Sequence, residues 1–369
     1  MNTFFFATLI KIRKIQYVSS LSPLVFDGHN DVLLQLYRSG GVAGADAFLK
    51  GRDGAIDLNK SRAGGFGGGF FAVFVPSPSD PDLKFQEMTK DSYDLPLPEP
   101  IDCSDALSVV ASQIAILREL ERLGALNICK SVADIRAAFQ EGKLAAIFHV
   151  EGAEAIDADL HMLDVLHAAG LRSIGPVWSR PTIFGEGVPF RFPSTPDIGD
   201  GLTDHGLALI RRCNALNIMV DLSHLNEAGF WDVARHSQAP LVATHSNAHA
   251  ITPHSRNLTD DQLRAIAESD GMVGLNFAVA FLREDGKMLA DVPIAQMLRH
   301  LDHLIGILGE DRVGLGSDYD GAVVPEALTD VSALPKLLQA MAEHGYDETL
   351  IEKLCHGNWM RVLEKTWGS

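Results

Sequence analysis

The chain predicts an α/β fold in which eight parallel strands and their helices close into a (β/α)8 TIM barrel, with further helices closing it at the C-terminal side. Three observations carry this expectation. Eight short apolar runs recur along the chain, at 24–27, 69–75, 144–150, 173–178, 218–222, 241–244, 272–277 and 313–315. Each is nearly continuous rather than alternating, as suits a parallel strand covered on both faces. Between them lie stretches of helical period, which is the βα alternation of a barrel; a doubly wound open sheet is the alternative.

The elements follow in chain order. Residues 1–22, "MNTFFFATLIKIRKIQYVSS" and the two that follow, form an N-terminal extension expected to be poorly ordered. Its charge follows its apolar run, which is the wrong order for a signal peptide and leaves a membrane or export role as the minority alternative. Residues 23–369 are read as a single domain. The glycines of "GGFGGG" precede the second run, so they read as a flexible entry to that strand rather than a phosphate cradle. The Pro-rich segment 76–100 reads as a long loop over the barrel mouth. One helix places Ala106, Val110, Ile114, Leu117 and Leu120 on one face, and another starts at Thr259 as N-cap before Asp260 and Asp261. After the eighth run, two or three closing helices complete the chain.

Charge and cysteine use narrow the function. A net charge of −17 leaves no basic stripe to neutralise phosphates, so no nucleic-acid partner is expected. Cys103, Cys129, Cys213 and Cys355 form no CxxC pair, which fits reduced thiols in a cytoplasmic protein. No run is long enough to span a bilayer, and "EKTWGS" carries no lipid-anchor signal, so no membrane anchor is expected.

In barrels the active site collects at the C-terminal ends of the strands. Those ends carry His29 and Asp31 in "DGHND", Glu151 in "FHVEG", His224 in "DLSH", His245 in "ATHSNAH", and Asp318 and Asp320 in "GLGSDYDG". Taken singly, each is ordinary turn or core chemistry. Together they would converge, and so many buried ionisable groups need partners or a metal. Imidazoles and carboxylates without a thiol suit zinc, with iron or manganese as substitutes. The set exceeds the three ligands of one catalytic zinc, which points to two metals sharing a carboxylate. His149 shares strand parity with Glu151 and reads as a supporting partner.

The motifs "DGHND", "VEG", "DLSH", "THSNA…SRN", "GSDYDG" and "GNWMRV" resemble, in order from about residue 26 to residue 363, the membrane (renal) dipeptidase family. The resemblance implies a metal-dependent hydrolase barrel with Zn2+ as cofactor, two ions per chain. It implies His29 and Asp31 on one zinc, His224 and His245 on the other, and Glu151 bridging them. Arg256 of "HSRN" then grips the substrate's α-carboxylate, and Asp318 moves the proton. The implied activity is hydrolysis of dipeptides with a D-residue tolerated at the C-terminal position, by a homodimer. One departure stands out: Trp178 falls where the family places a substrate-contacting histidine, and an indole N–H donates one hydrogen bond but carries no protonic charge. Either a neighbour such as Arg180 compensates, or the preferred substrate differs from the usual dipeptide. The alternatives are another metal-dependent amidohydrolase acting on a cyclic amide or lactam, and a catalytically silent barrel that only binds. The first commonly uses His-x-His on its first strand and a carboxylated lysine bridge, where this chain has His-x-Asp and Glu151.

Overall fold

A computed structural model of the chain describes residues 23–77 and 86–368. The N-terminal extension over 1–22 lies outside the described residues, as does the stretch 78–85 of the expected long loop. Eight parallel strands form the barrel: β1 Val25–Asn30, β2 Phe66–Phe74, β3 Leu144–Glu151, β4 Leu171–Gly175, β5 Met219–Val220, β6 Val242–Ala243, β7 Met272–Asn276 and β8 Val313–Gly316. Their order is β5-β4-β3-β2-β1-β8-β7-β6, with every neighbouring pair parallel. A single bridge between Asp221 and Val242 joins the two ends, so the barrel is nearly closed.

Each predicted run contributes a strand, with shifted edges. β1 reaches Asn30 and so takes in His29, whereas β4 stops at Gly175, short of Trp178. A short strand, Leu126–Ile128, was not anticipated; it pairs with the first half of β3. The glycine run also differs from expectation, because Gly67, Gly68 and Gly69 lie inside β2. A Cβ on Gly68, whose φ is +120°, would sit 2.1 Å from the Ala145 carbonyl oxygen, and one on Gly69 would sit 2.2 Å from that of Asp27. These glycines let three strand backbones approach closely. In the helix Cys103–Arg122, Gln113 rather than Ile114 is fully buried, its amide bonded both ways to the backbone of Phe74. Thr259 caps Asp260–Glu268 in a reciprocal box with Gln262.

Among the closing helices, Asn358–Trp367 sends Trp359 into the bottom of the barrel. The indole packs with Phe26, Phe70, Met219, Val242 and Met272, and its N–H donates to the Leu315 carbonyl at 3.1 Å. A Cβ on Gly28 or Gly314 would come within 3.0 Å of that ring, so glycine at both positions makes room for it. The apolar plug leaves the opposite mouth for polar chemistry.

Candidate active site

At that mouth, the residues singled out at the strand ends meet. A register shift along β1 between Asp27 and Asn30 breaks the simple alternation of side chains. Phe26 therefore reaches the interior, and so does His29, whose ring centroid lies 3.9 Å from that of His245. Asp31 has already left the strand and begins the helix Val32–Ser39. His29 Nε2 lies 3.3 Å from Asp31 Oδ2 and 3.6 Å from Glu151 Oε2. The other oxygen of Glu151, Oε1, lies 3.0 Å from His224 Nε2 and 3.6 Å from His245 Nε2.

Two groups of donors share Glu151, namely His29/Asp31/Glu151 and Glu151/His224/His245, and a third, His29/Asp221/His245, overlaps both; each could hold a metal ion. The residues fit such an ion on their own terms. Neither ring nitrogen of the fully buried His29 has a hydrogen-bond partner. His224 Nε2 and His245 Nε2 face each other at 3.1 Å, with Ser179 Oγ and Thr244 Oγ1 occupying their Nδ1 sides. The metal-free electrostatics say the same. Burial pulls His29 down, but the carboxylates of Glu151, Asp31 and Asp318 outweigh it and push it up to about 10. Burial raises Glu151 well above the usual carboxylate range, and the negative charges of Asp31 and Asp318 add to that. Burial holds His224 and His245 far below an ordinary imidazole, helped by nearby Arg256 and His29. Cations would relieve this frustration. A further group, Asp157/Asp159/His161, lies in the segment after β3 and is largely exposed.

A cavity of about 760 Å³ opens over the cluster, with Asp31, Glu151, His224 and Asp318 on its wall. Asp318 has left-handed backbone at φ 60°, and its Oδ2 accepts from Asn276 Nδ2 at 3.1 Å. Burial raises its carboxyl, while His29 and the Asn276 bond pull it down. Gly321 leaves the room: a Cβ there would sit 2.0 Å from Asp31 Oδ2 and 2.8 Å from Asp318 Oδ1. Asp320 is taken by Arg52 at 2.8 Å and by the Ala55 N–H at 2.7 Å.

Arg256 is buried behind His224 and Phe281. Its Nη1 donates to the Ser223 carbonyl, its Nη2 lies 3.2 Å from His224 Nε2, and its guanidinium stands 5.3 Å from the Phe281 ring centroid. Its Nε has no partner, and no carboxylate of the described residues pairs with it. Burial lowers it to about 10, opposed by Asp318, Glu151 and Asp221, so it stays charged at neutral pH. Trp178 lines the cavity with its ring centroid 5.1 Å from Phe74, 5.7 Å from Phe190 and 5.8 Å from His224. Arg180 does not stand free beside it: the buried guanidinium is bonded to Glu154, Ser77 and the Val75 carbonyl. His149 is buried against His29, its Nδ1 bonded to Ser173 Oγ at 2.9 Å.

Asp221, Thr244, Ser179 and Asn276 join the site without an expected role. All four touch the predicted residues through side-chain bonds or ion pairs. An aspartate inside the apolar run "IMVDL" was the available signal.

A (β/α)8 barrel with this donor cluster at the C-terminal mouth defines the chain as a metal-dependent hydrolase. The model of the family described as membrane dipeptidase (peptidase family M19) matches residues 12–367. The chain belongs to that family and is a metallo-dipeptidase. A metallo peptidase from Rhodobacter sphaeroides, solved with a phosphinate mimic of the dipeptide L-Ala-D-Ala, is 54% identical with a TM-score of 0.92. That match covers 94% of this chain and 100% of the other. A protein in the pqqA 5′ region of Klebsiella pneumoniae is 48% identical over 265 residues, which is 71% of this chain and 98% of the relative. One in the PQQ-III 3′ region of Acinetobacter calcoaceticus is 43% identical over 291 residues, covering 76% of this chain and 89% of the relative. Among the described residues no helix is long and apolar enough to cross a membrane.

Proposed function

We propose that the chain is a zinc enzyme with two Zn2+ ions that hydrolyses dipeptides and accepts a D-residue at their C-terminal position. The observation that carries this reading is Glu151, whose two oxygens serve two separate donor groups. His29 and Asp31 would hold one ion, His224 and His245 the other, and Glu151 both. Bound there, zinc supplies Lewis acidity, lowering the pKa of water and polarising the scissile carbonyl.

The chain's own residues do the rest. Arg256 offers a buried positive charge without an anionic partner, a costly arrangement that a substrate carboxylate relieves. Its Nε–H is the unpartnered donor, so a carboxylate would bind side-on through Nε and one Nη in exchange for a protein contact, a grip that favours dipeptides over longer chains. Asp318, held by Asn276, takes a proton from the attacking water and delivers it to the departing amine. Trp178, with Phe74 and Phe190, walls the substrate side of the cavity. The L-Ala-D-Ala mimic in the 54% identical neighbour supports the D-residue. Four free cysteines support a reducing, cytoplasmic setting, and the proposed assembly is a homodimer.

Metal-free protein titrated with zinc should take up about two equivalents, because the donor set exceeds what one ion needs. His29, pushed up to about 10 in the metal-free chain, is protonated at neutral pH and must lose that proton to become a ligand. Affinity should therefore weaken as pH falls, about tenfold per unit for each proton displaced. Calorimetry in buffers of different ionisation enthalpy reads both quantities. Uptake of a single equivalent, or none, would sink the two-zinc reading.

Arg256→Met should sharply lower kcat/KM for free dipeptides while hurting C-terminally amidated ones much less, because the amide lacks the charge that Arg256 holds. Equal losses for the two substrate types would make Arg256 a structural residue.

A further inference from the structure

β5 and β6 are the shortest barrel strands, two residues each, yet they lead into His224 and His245. Backbone pairing at this seam runs through the bridge between Asp221 and Val242, in which the Leu222 N–H donates to the Val242 carbonyl. The Asp221 side chain supplies further bonds. Its Oδ1 accepts from Ser223 N–H at 3.1 Å, Ser223 Oγ at 2.6 Å and Thr244 N–H at 2.9 Å. Its Oδ2 accepts from Thr244 Oγ1 at 2.6 Å. One buried carboxylate thus ties together the two segments that present the histidines.

The direction of these bonds has a chemical result. Thr244 has one hydroxyl proton, and a carboxylate only accepts, so that proton goes to Asp221. The 2.8 Å contact between Thr244 Oγ1 and His245 Nδ1 then requires His245 to donate. The proton sits on Nδ1, and the lone pair is left on Nε2, the nitrogen 3.6 Å from Glu151 Oε1. His224 is fixed by a different neighbour: Arg256 Nη2, which can only donate, lies 3.2 Å from His224 Nε2, so its proton sits on Nδ1 facing Ser179 Oγ at 3.0 Å.

We infer that Asp221, acting through the Thr244 hydroxyl, fixes the tautomer of His245 and so positions it as a metal ligand. This rests on the proposed role of His245. A competing reading makes Asp221 a ligand itself, because His29, Asp221 and His245 also form a donor group. The two readings part at Thr244, which matters only to the relay.

The experiment is chelator competition on zinc-loaded protein, comparing Asp221→Asn, Thr244→Val and Thr244→Ser with the unchanged chain. In Asp221→Asn the amide N–H2 replaces Oδ2 and donates to Thr244 Oγ1. The hydroxyl proton then turns to His245 Nδ1, which drives the imidazole proton onto Nε2 and blocks ligation. Both Asp221→Asn and Thr244→Val should weaken one zinc ion by about 10–100-fold and leave the other in place. Thr244→Ser keeps the hydroxyl and should hold both ions as the unchanged chain does. Should Asp221→Asn fail to fold, the near-isosteric Thr244→Val and its serine rescue still decide. Unchanged zinc affinity in Thr244→Val overturns the relay, and a loss confined to Asp221→Asn does so in favour of ligation. His245→Ala separates this from the underlying reading: if that variant keeps both ions at full affinity, the ligand assignment itself has failed.

Discussion

Asp318→Asn is expected to keep both zinc ions and bind substrate normally, while kcat falls by about a hundredfold or more. The substitution is unusually clean. Asparagine is nearly isosteric and is among the residues that tolerate the left-handed backbone found here, φ 60°. Its side-chain oxygen can still accept from Asn276. What it loses is the ability to take a proton from water and return it to an amine. Metal analysis and steady-state kinetics on one preparation decide the outcome. Loss of a zinc ion would make Asp318 a ligand and send the search for the proton carrier elsewhere. Full turnover with full metal would remove it from the mechanism.

Glu151→Ala is expected to abolish dipeptidase activity and reduce zinc well below two equivalents, because one residue serves both donor groups. Each group would be left with two protein donors. Circular dichroism on the variant, with Glu151→Gln alongside, separates loss of metal from loss of fold. Two firmly held ions in Glu151→Ala would show that the carboxylate is not shared.

The barrel and its mouth were legible where local chemistry is loud. Eight apolar runs mark eight strands, and histidines or carboxylates at their ends are rare enough to be noticed. The obscure parts depend on partners distant in the chain. Arg180 looks free in "WSRPT", but its partner Glu154 precedes it by 26 residues. The glycines of β2 are explained only by the backbones of β1 and β3 on either side. Asp221 sits in the same "DLSH" that drew attention to His224, yet its meaning depends on Thr244, 23 residues later. The runs read as β5 and β6 were also too long, since the Asp221 side chain takes over hydrogen bonds that a longer strand pair would make.

Trp359 bears on how the chain is made. On the ribosome all eight strands emerge before this indole does, and β1, the earliest, must wait for its neighbour β8. Until then Gly28 and Gly314 border a gap rather than a ring, and the apolar layer around Phe26 and Phe70 has no lid beneath it. Such exposed apolar surface in an unfinished chain invites aggregation. A chain ending before Trp359 would lack that lid, and its exposed apolar layer is expected to favour aggregation over an active barrel.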